Sequence, residues 1–96
     1  MKFEWDSAKA ESNLKKHGVA FEDAAQVFFD PLAITECDRV VEGEYRWKTL
    51  GTVDGCLLLL VAHTIRDESN VEIIRIISAR QAEPKERKHY ERNNTI

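Results

Sequence analysis

Arginine side chains occur inside and beside the most apolar stretch of this chain. The segment IIRIISARQ, residues 73–81, has Arg75 in its middle and Arg80 near its end, and Arg66 closes the apolar run before it. A guanidinium stays charged at neutral pH and binds phosphate through two parallel hydrogen bonds. The pattern therefore indicates a phosphate-bearing ligand. The alternative for each residue is structural: an arginine at a strand end that reaches water or pairs with a carboxylate.

The distribution of charge supports a local affinity for anions rather than a general one. The net charge of the chain is −3, yet residues 75–92 carry +3 and residues 1–74 carry −6. The composition of the whole chain is thus not typical of a nucleic-acid-binding protein, whereas the asymmetry between its parts points weakly in that direction.

The histidines and one tyrosine have structural explanations as well as chemical ones. His17 suits the negative end of a helix dipole, and His63 suits a hydrogen-bonded position in a strand. His89 and Tyr90 fall in a polar segment, where both would be solvated. The spacing of histidines and cysteines matches no zinc motif, so we predict neither a metal nor another cofactor.

Length and composition indicate a single domain, residues 1–96, with one modest core. No stretch approaches the roughly 18 apolar residues that span a membrane, and MKFEWD lacks the apolar region of a signal peptide. We therefore expect a cytoplasmic protein with no membrane partner. In that compartment Cys37 and Cys56 are predicted to be buried, unpaired thiols.

Two helices are predicted near the N-terminus, after a short strand in KFEW. Asp6 or Ser7 caps the first helix, which runs to about His17 and stops at Gly18. The segment FEDAAQVFFD repeats apolar residues at helical spacing, which predicts a second helix that ends before Pro31.

Four strands and a last helix are predicted to follow. The strand segments are LAITECDRVV, EYRWKTLG, LLLLVAHTIR and VEIIRIISAR. Asp54-Gly55 marks a hairpin between the second and the third of them. Pro84 fits the first turn of a polar helix over 85–92. The order β-α-α-β-β-β-β-α predicts an α+β fold, with two helices on one face of an antiparallel sheet of four to five strands and a short C-terminal helix.

Alternation along the strands separates the arginines. It places Arg75 between Ile73 and Ile77 on one face of the last strand and Arg80 on the other. Arg75 is therefore predicted to be buried beside an acidic partner. In a flat sheet, Arg66 and Arg80 would lie about 30 Å apart at about 3.3 Å per residue, which weakens any claim that they form one compact catalytic centre.

The chain resembles the BrnT family in ordered segments over nearly its whole length. The family pattern F-x-W-D, K, N, K-H-G-V, F-E-x-A and V-F-x-D-P matches Phe3, Trp5, Asp6, Lys9, Asn13, Lys16 to Val19, Phe21, Glu22, Ala24, Val27, Phe28, Asp30 and Pro31. Further on, GEYRWKTLG, LLLVAHTIR, IIRIISAR and ERKHYE resemble later family segments. The chain departs from the family pattern at two helix caps. Ala20 stands where the family often has a capping Ser or Thr, and Glu83-Pro84 replaces the usual small polar start of the last helix.

BrnT proteins are toxins of type II toxin–antitoxin systems, with a RelE-like fold. The resemblance therefore implies a RelE-like α+β fold and an endoribonuclease that inhibits translation and growth. It also implies a BrnA-type antitoxin, a ribbon-helix-helix protein that forms a two-plus-two assembly with the toxin and mediates its contact with DNA. The alternative is a catalytically inactive binding module that acts only as antitoxin partner and operon co-repressor, with the acidic residues of 1–74 used for protein pairing.

The implied cleavage needs no metal if the 2′-OH of RNA attacks the neighbouring phosphate. Preorganised cations then stabilise the charge of the transition state, and a base and an acid transfer protons. The predicted catalytic residues are Arg66, Arg80, His63 and Tyr90. The predicted RNA-binding residues are Lys9, His17, Arg46 and Arg87. The base and the acid remain open among His63, Tyr90 and His17, and RelE-type toxins tend to use Arg, Lys and Tyr instead of a histidine pair.

Overall fold

The computed structural model describes residues 1–94 in the predicted order of elements. The strands are β1 (Lys2–Glu4), β2 (Ile34–Val41), β3 (Glu44–Val53), β4 (Leu57–Glu68) and β5 (Val71–Gln81). The helices are α1 (Ser7–His17), α2 (Phe21–Gln26), a 3-10 turn (Val27–Phe29) and α3 (Pro84–Asn93). Positions 95 and 96 of the predicted domain lie outside the described residues. Over residues 1–94, none of the helices combines the length and the apolar character needed to cross a bilayer.

The five strands form one mixed sheet in the order β1-β5-β4-β3-β2. Strands β2 to β5 are an antiparallel meander, as predicted, but β1 joins the edge of β5 in parallel. Hairpins set the direction of the meander strands. No hairpin joins β1 to β5, and the parallel register places Phe3 beside Ile74. The predicted α+β class with a C-terminal helix is confirmed. The parallel pairing of β1 with β5 was not predicted, since the sequence indicated an antiparallel sheet.

The core lies between one face of the sheet and the two N-terminal helices. Phe21, Ala24 and Val27 are fully buried there. They pack in one cluster with sheet residues that include Leu59, Val61, Ile74 and Ile76. Each large side chain buried in this way contributes about 1.5 to 3 kcal/mol. We call this side of the sheet the helix-covered face and the other side the open face.

One extra residue in β5 changes which side chains reach the open face. The pairing of β4 with β5 shifts register at Ile77, which has no partner in β4 and so forms a β-bulge. As a result Ile76 and Ala79, three residues apart, both join the core cluster. Arg75 and Arg80 therefore share the open face, whereas uninterrupted alternation had predicted opposite faces.

Two predictions of burial are wrong. Arg75 is exposed, because it lies on the open face beside the short strand β1. Cys37 and Cys56 are unpaired, as predicted, but both are exposed. Cys37 belongs to the edge strand β2, and Cys56 lies in the turn between β3 and β4, so neither is covered by a second layer.

Helix α1 is fixed to the edge of the sheet by a side-chain amide. Asp6 caps its start, and Gly18, with φ of 71°, ends it in the left-handed conformation that glycine adopts without strain. Asn13 is buried and donates to the carbonyls of Ala79 and Val19, both at 2.9 Å. It also accepts from the Ala79 N–H at 3.0 Å. The Asn13 side chain thus pairs with β5 as a neighbouring strand would.

Helix α3 is held on the open face by polar contacts. It has no buried residue, in keeping with its sequence. Glu83 and Glu86 form a capping box at its start, which replaces the small polar cap expected of the family. Near its end the Tyr90 hydroxyl donates to Asp30 at 2.6 Å, and Asp30 also accepts from Thr52. These contacts anchor both ends of the helix.

Candidate functional site

The open face brings together cations that come from three strands. They are Arg46 and Lys48 of β3, Arg66 of β4, and Arg75 and Arg80 of β5. The register places Lys48 opposite Ala62 and Arg80 opposite Leu60, so small or apolar side chains separate the charges. This arrangement suits an extended anionic ligand.

A cleft of about 290 Å³ lies between α3 and the open face. Its lining consists of Ile34, Leu50 and Leu60, the cationic or titratable Lys48, Lys85 and His89, and the acidic Glu36, Glu83 and Glu86. Arg80 lies beside the cleft, since it is opposite Leu60 and contacts Glu86. The volume is at the small end of the range for ligand pockets, which suits a phosphodiester and its sugar.

Arg80 is positioned by two carboxylates of α3. Its two terminal nitrogens each donate to Glu86 at 2.8 Å, and Glu83 lies 3.5 Å away. The hydrogen bonds to Glu86 raise the pKa of Arg80, and the same bonds lower the pKa of Glu86. Within residues 1–94, the Nε–H of Arg80 has no hydrogen-bond acceptor. Nη1 also donates to the carbonyl oxygen of Gln81 at 3.2 Å, so both terminal nitrogens are held in place and the Nε–H is the donor left to bind an oxygen.

His89 is a candidate that the sequence reasoning had assigned to solvated surface. Its Nε2 lies 3.5 Å from Glu36 Oε1, and its side chain is 47% exposed. Lys48 is the cross-strand partner of Glu36. The Glu86–His89 spacing places both residues on one face of α3, and Glu86 binds Arg80, so His89 lies on the side of the helix that faces Arg80.

Arg66 lies away from the cleft. Its guanidinium binds Glu4 through two hydrogen bonds of 2.9 and 3.0 Å and contacts Glu68 at 3.4 Å. Arg66 is six residues along β4 from Leu60, the partner of Arg80, which separates the two arginines by about 20 Å. The predicted separation was about 30 Å, so the two arginines are closer than predicted but still do not form one compact centre.

Arg46 and Arg75 lie on either side of Thr64. Thr64 of β4 pairs with Arg75 of β5. On the other side of β4, Trp47 of β3 pairs with His63, so Arg46, which precedes Trp47, lies beside Thr64. The Cα atoms of two side chains placed in this way are about 10 Å apart. Arg46 Nε lies 3.3 Å from Glu44, whereas Arg75 is the direct partner of Glu4 on β1 and attracts its carboxylate electrostatically. This pair extends the cationic surface from the cleft toward β1.

The catalytic role predicted for His63 does not fit its position. The side chain is fully buried on the helix-covered face, where Nε2 lies 2.7 Å from the Thr49 hydroxyl. The ring packs edge-on against Phe28, with 4.8 Å between the centroids. Burial lowers the pKa of His63 to about 4. His63 is thus a neutral core residue, the structural alternative that the sequence had offered.

Tyr90 is partly buried and occupied in structure. Its hydroxyl donates to Asp30, and burial together with that bond raises the pKa of Tyr90. Burial alone would raise the pKa of Asp30, but the hydrogen bonds from Tyr90 and Thr52 outweigh it and lower that pKa. Proton transfer by Tyr90 would require α3 to release this contact.

A second, smaller cleft, whose charged residues are all basic, lies where α1 meets the bulge of β5. Its lining includes Lys9, Lys16, His17 and Ser78. Ser78 is also the direct partner of Ala62, and this pair lies beside the Leu60–Arg80 pair on the open face. Ser78 therefore connects this cleft with the open face. The structure therefore places Lys9 and His17 together, as two of the predicted RNA-binding residues. The third and fourth lie elsewhere: Arg46 on β3, and Arg87 exposed on α3 outside the lining of the larger cleft.

Comparisons with known proteins agree with this fold. The family model described as "Ribonuclease toxin, BrnT, of type II toxin-antitoxin system" matches residues 5–86. Among solved structures, the Brucella abortus ribonuclease toxin BrnT superposes with a TM-score of 0.66 at 25% sequence identity. That match covers 86% of this chain and 97% of the Brucella chain. A search of curated proteins gives no match.

Proposed function

Because the chain belongs to the BrnT family of type II ribonuclease toxins, we propose that it cleaves RNA without a metal, at the cleft between α3 and the open face. In this reaction the ribose 2′-OH attacks the adjacent phosphate, and the 5′-oxygen of the next nucleotide leaves with a proton. The products are a 2′,3′-cyclic phosphate and a 5′-hydroxyl. Loss of the cleaved RNA then inhibits translation and growth.

The observation that carries this proposal is the position of Arg80. Glu86 holds one edge of its guanidinium through two bonds of 2.8 Å, beside the cleft that Lys48 and His89 line. A cation fixed before the substrate arrives stabilises the charge of the phosphorane without reorganising. Arg80 is thus the proposed transition-state cation, and Lys48 adds a second positive charge.

His89 replaces His63 as the proposed proton-transfer group. It is solvent-accessible, lines the cleft and has Glu36 at 3.5 Å to orient its ring. Imidazole is the side chain best suited to exchange protons near neutral pH. Tyr90 is the next candidate, provided that α3 can release it from Asp30. Arg66 is reassigned to RNA binding, since Glu4 holds it about 20 Å from Arg80.

The path of the RNA is proposed to follow the cationic side chains. It begins at the α1 cleft, at Lys9, Lys16 and His17, crosses the sheet near Ser78 and enters the larger cleft. Electrostatic contacts with phosphates give affinity without sequence preference. Arg46 and Arg87 are proposed to bind flanking phosphates.

The proposed partner is a BrnA-type antitoxin of the ribbon-helix-helix class. The family is part of type II toxin–antitoxin systems, so an antitoxin is expected to neutralise this chain. We propose a two-plus-two assembly in the cytoplasm, in which the antitoxin alone contacts DNA.

A catalytically inactive binding module is the second candidate. It is favoured by the ion pair of Arg80 with Glu86, which neutralises the best-placed cation, and by the net charge of −3. Expression of the chain alone separates the two functions. Growth arrest with loss of RNA supports the ribonuclease, whereas normal growth supports the module.

The mechanism is tested with purified protein and RNA in excess EDTA. We expect cleavage to continue and the downstream product to carry a 5′-hydroxyl. Activity that disappears with EDTA and returns with magnesium would contradict the proposal, as would a 5′-phosphate end. Lys15 is exposed on α1 and does not line the α1 cleft, so the Lys15→Ala variant serves as a control that should cleave RNA like the parent under the same conditions.

A further inference from the structure

Apolar side chains are exposed at one end of the helix-covered face. Val40 and Tyr45 are direct partners on β2 and β3, and their exposed fractions are 55% and 59%. Ile65 of β4 lies beside Tyr45 in the continued register and is 36% exposed. The ring of Trp47, half-buried, lies 6.3 Å from that of Tyr45. We call Val40, Tyr45, Trp47 and Ile65 the tip patch.

Two carboxylates border the tip patch on the same face. Asp67 and Glu72 are direct cross-strand partners, as are Ile65 and Ile74. Asp67 lies two residues after Ile65, and Glu72 lies two residues before Ile74, so all four side chains share one face. Like charges directly opposite each other destabilise a sheet. Both side chains are exposed, and over residues 1–94 neither has an ion pair or a hydrogen bond. A cation placed between them would relieve the repulsion.

The charge and shape of this surface select one class of occupant. RNA is a polyanion, so Asp67 and Glu72 repel it. A second copy of the chain related by a twofold axis that passes near Asp67 and Glu72 would bring these carboxylates close to their counterparts. A protein segment with apolar side chains and a lysine or arginine fits both features, and exposed apolar patches commonly mark partner sites.

We infer that the tip patch binds the antitoxin, through a segment that places apolar side chains on Tyr45 and Ile65 and a basic side chain between Asp67 and Glu72. The inference rests on the toxin–antitoxin part of the proposed function and not on RNA cleavage. The tip patch lies on the opposite side of the sheet from the larger cleft. Antitoxin binding and RNA cleavage are therefore separable by substitution.

The experiment measures the affinity of purified toxin variants for the antitoxin encoded beside the toxin, by calorimetry. Tyr45→Ser with Ile65→Ser should weaken binding about 30-fold or more, the scale of an interface hot spot. Charge reversal by Asp67→Lys with Glu72→Lys should weaken it about 10-fold, as expected for charges at the rim of an interface. The variants should still arrest growth when expressed alone, and the antitoxin should no longer relieve the arrest.

Matched controls place the same changes elsewhere on the surface. Leu14→Ser removes an equally exposed apolar side chain from α1, and Glu11→Lys with Glu22→Lys reverses two charges beside it. Both controls should bind the antitoxin within about twofold of the parent, as is usual for residues outside an interface. Thermal melts establish folding, and Val40→Ser, at a 55% exposed position, is the milder substitute for a patch variant that unfolds.

Three results would overturn the inference. Unchanged antitoxin affinity in the folded patch variants removes the antitoxin from this surface. A dimer of the toxin alone that Tyr45→Ser dissolves makes a second copy the occupant. Weaker RNA binding by the same variants, with antitoxin affinity unchanged, makes the patch part of the RNA path. Loss of cleavage in EDTA would instead contradict the proposed metal-independent cleavage, and it would not bear on the binding of the antitoxin to the tip patch.

Discussion

The two roles of Arg80, in holding α3 and in stabilising a transition state, can be separated at the level of the single residue. Arg80→Ala should lower the rate of RNA cleavage about 10²-fold or more, the cost of losing one preorganised donor. The side chain is 35% exposed, so its pair with Glu86 should contribute only about 1 kcal/mol to folding after solvent screening. Single-turnover cleavage and thermal melting measure the two effects.

Lys88→Ala is the matched control, because Lys88 is exposed on the same helix, does not line the cleft and is not among the proposed RNA-binding residues. It should leave the rate within about twofold of the parent, as for surface substitutions away from a site. A folded Arg80→Ala protein that cleaves RNA at the parent rate would remove Arg80 from the active site.

His63 should make the stability of the fold dependent on pH. Its pKa is about 4 in the folded protein and near 6.5 when unfolded, so between these values the unfolded chain binds more protons. Stability is therefore full above pH 6.5 and falls as the pH drops toward 4, by on the order of 3 kcal/mol. Thermal melts of the parent and of His63→Gln between pH 4 and 7 measure this effect. Equal slopes for the two proteins would contradict a buried neutral histidine.

At the scale of single residues, the sequence indicates which types of side chain could carry chemistry better than it indicates where they lie in the fold. Arg80 was predicted to face a groove because it closes an apolar run at a strand end, and it lies beside a cleft. His63 was misjudged because alternation cannot distinguish a buried face from an open one. His89 was missed because its significance depends on Glu36, which is 53 positions away in the chain.

Asn13 joins two elements, and its removal should destabilise both. Asn13→Leu keeps the approximate size of the side chain but leaves the Ala79 N–H and two carbonyls without partners in a buried place. Unsatisfied buried groups cost about 1 to 3 kcal/mol each, so a total loss of at least about 3 kcal/mol is expected. Urea unfolding measures it, with the exposed Ser12→Ala as control. A loss below about 1 kcal/mol, the contribution of one ordinary hydrogen bond, would mean that water replaces these bonds.

At the scale of elements, local signals predicted the helices and strands well. Asp6, Gly18 and Pro84 act at helix ends as their chemistry requires, and Asp54-Gly55 forms the expected turn. The bulge at Ile77 was not predictable, because the segment around it is apolar on both faces. That one residue decides the relative positions of Arg75 and Arg80, so a correct strand assignment still placed the two arginines on opposite faces.

At the scale of the whole molecule, contacts between distant segments were beyond the reach of the sequence pattern. The parallel pairing of β1 with β5 and the docking of α3 through Tyr90 and Asp30 both join residues about 60 or more positions apart. Neither contact has a local signature. The family resemblance supplied the overall fold, and the positions of the clefts came only from the structure.

The separation of charge over the molecule leads to a last prediction, on the salt dependence of RNA binding. The chain carries a net charge of −3, yet Lys9, Lys16, Lys48 and Arg80 lie along the proposed RNA path. If all four bind phosphates, counterion release gives a slope of about −3 for log K against log salt concentration with single-stranded RNA. Lys9→Ala should reduce the steepness by about 0.7 and weaken binding to all sequences alike. Lys15→Ala, one residue from Lys16 but outside the cleft, should leave the slope unchanged. Fluorescence anisotropy over a series of salt concentrations measures these slopes, and equal slopes for Lys9→Ala and the parent would place the RNA path away from α1.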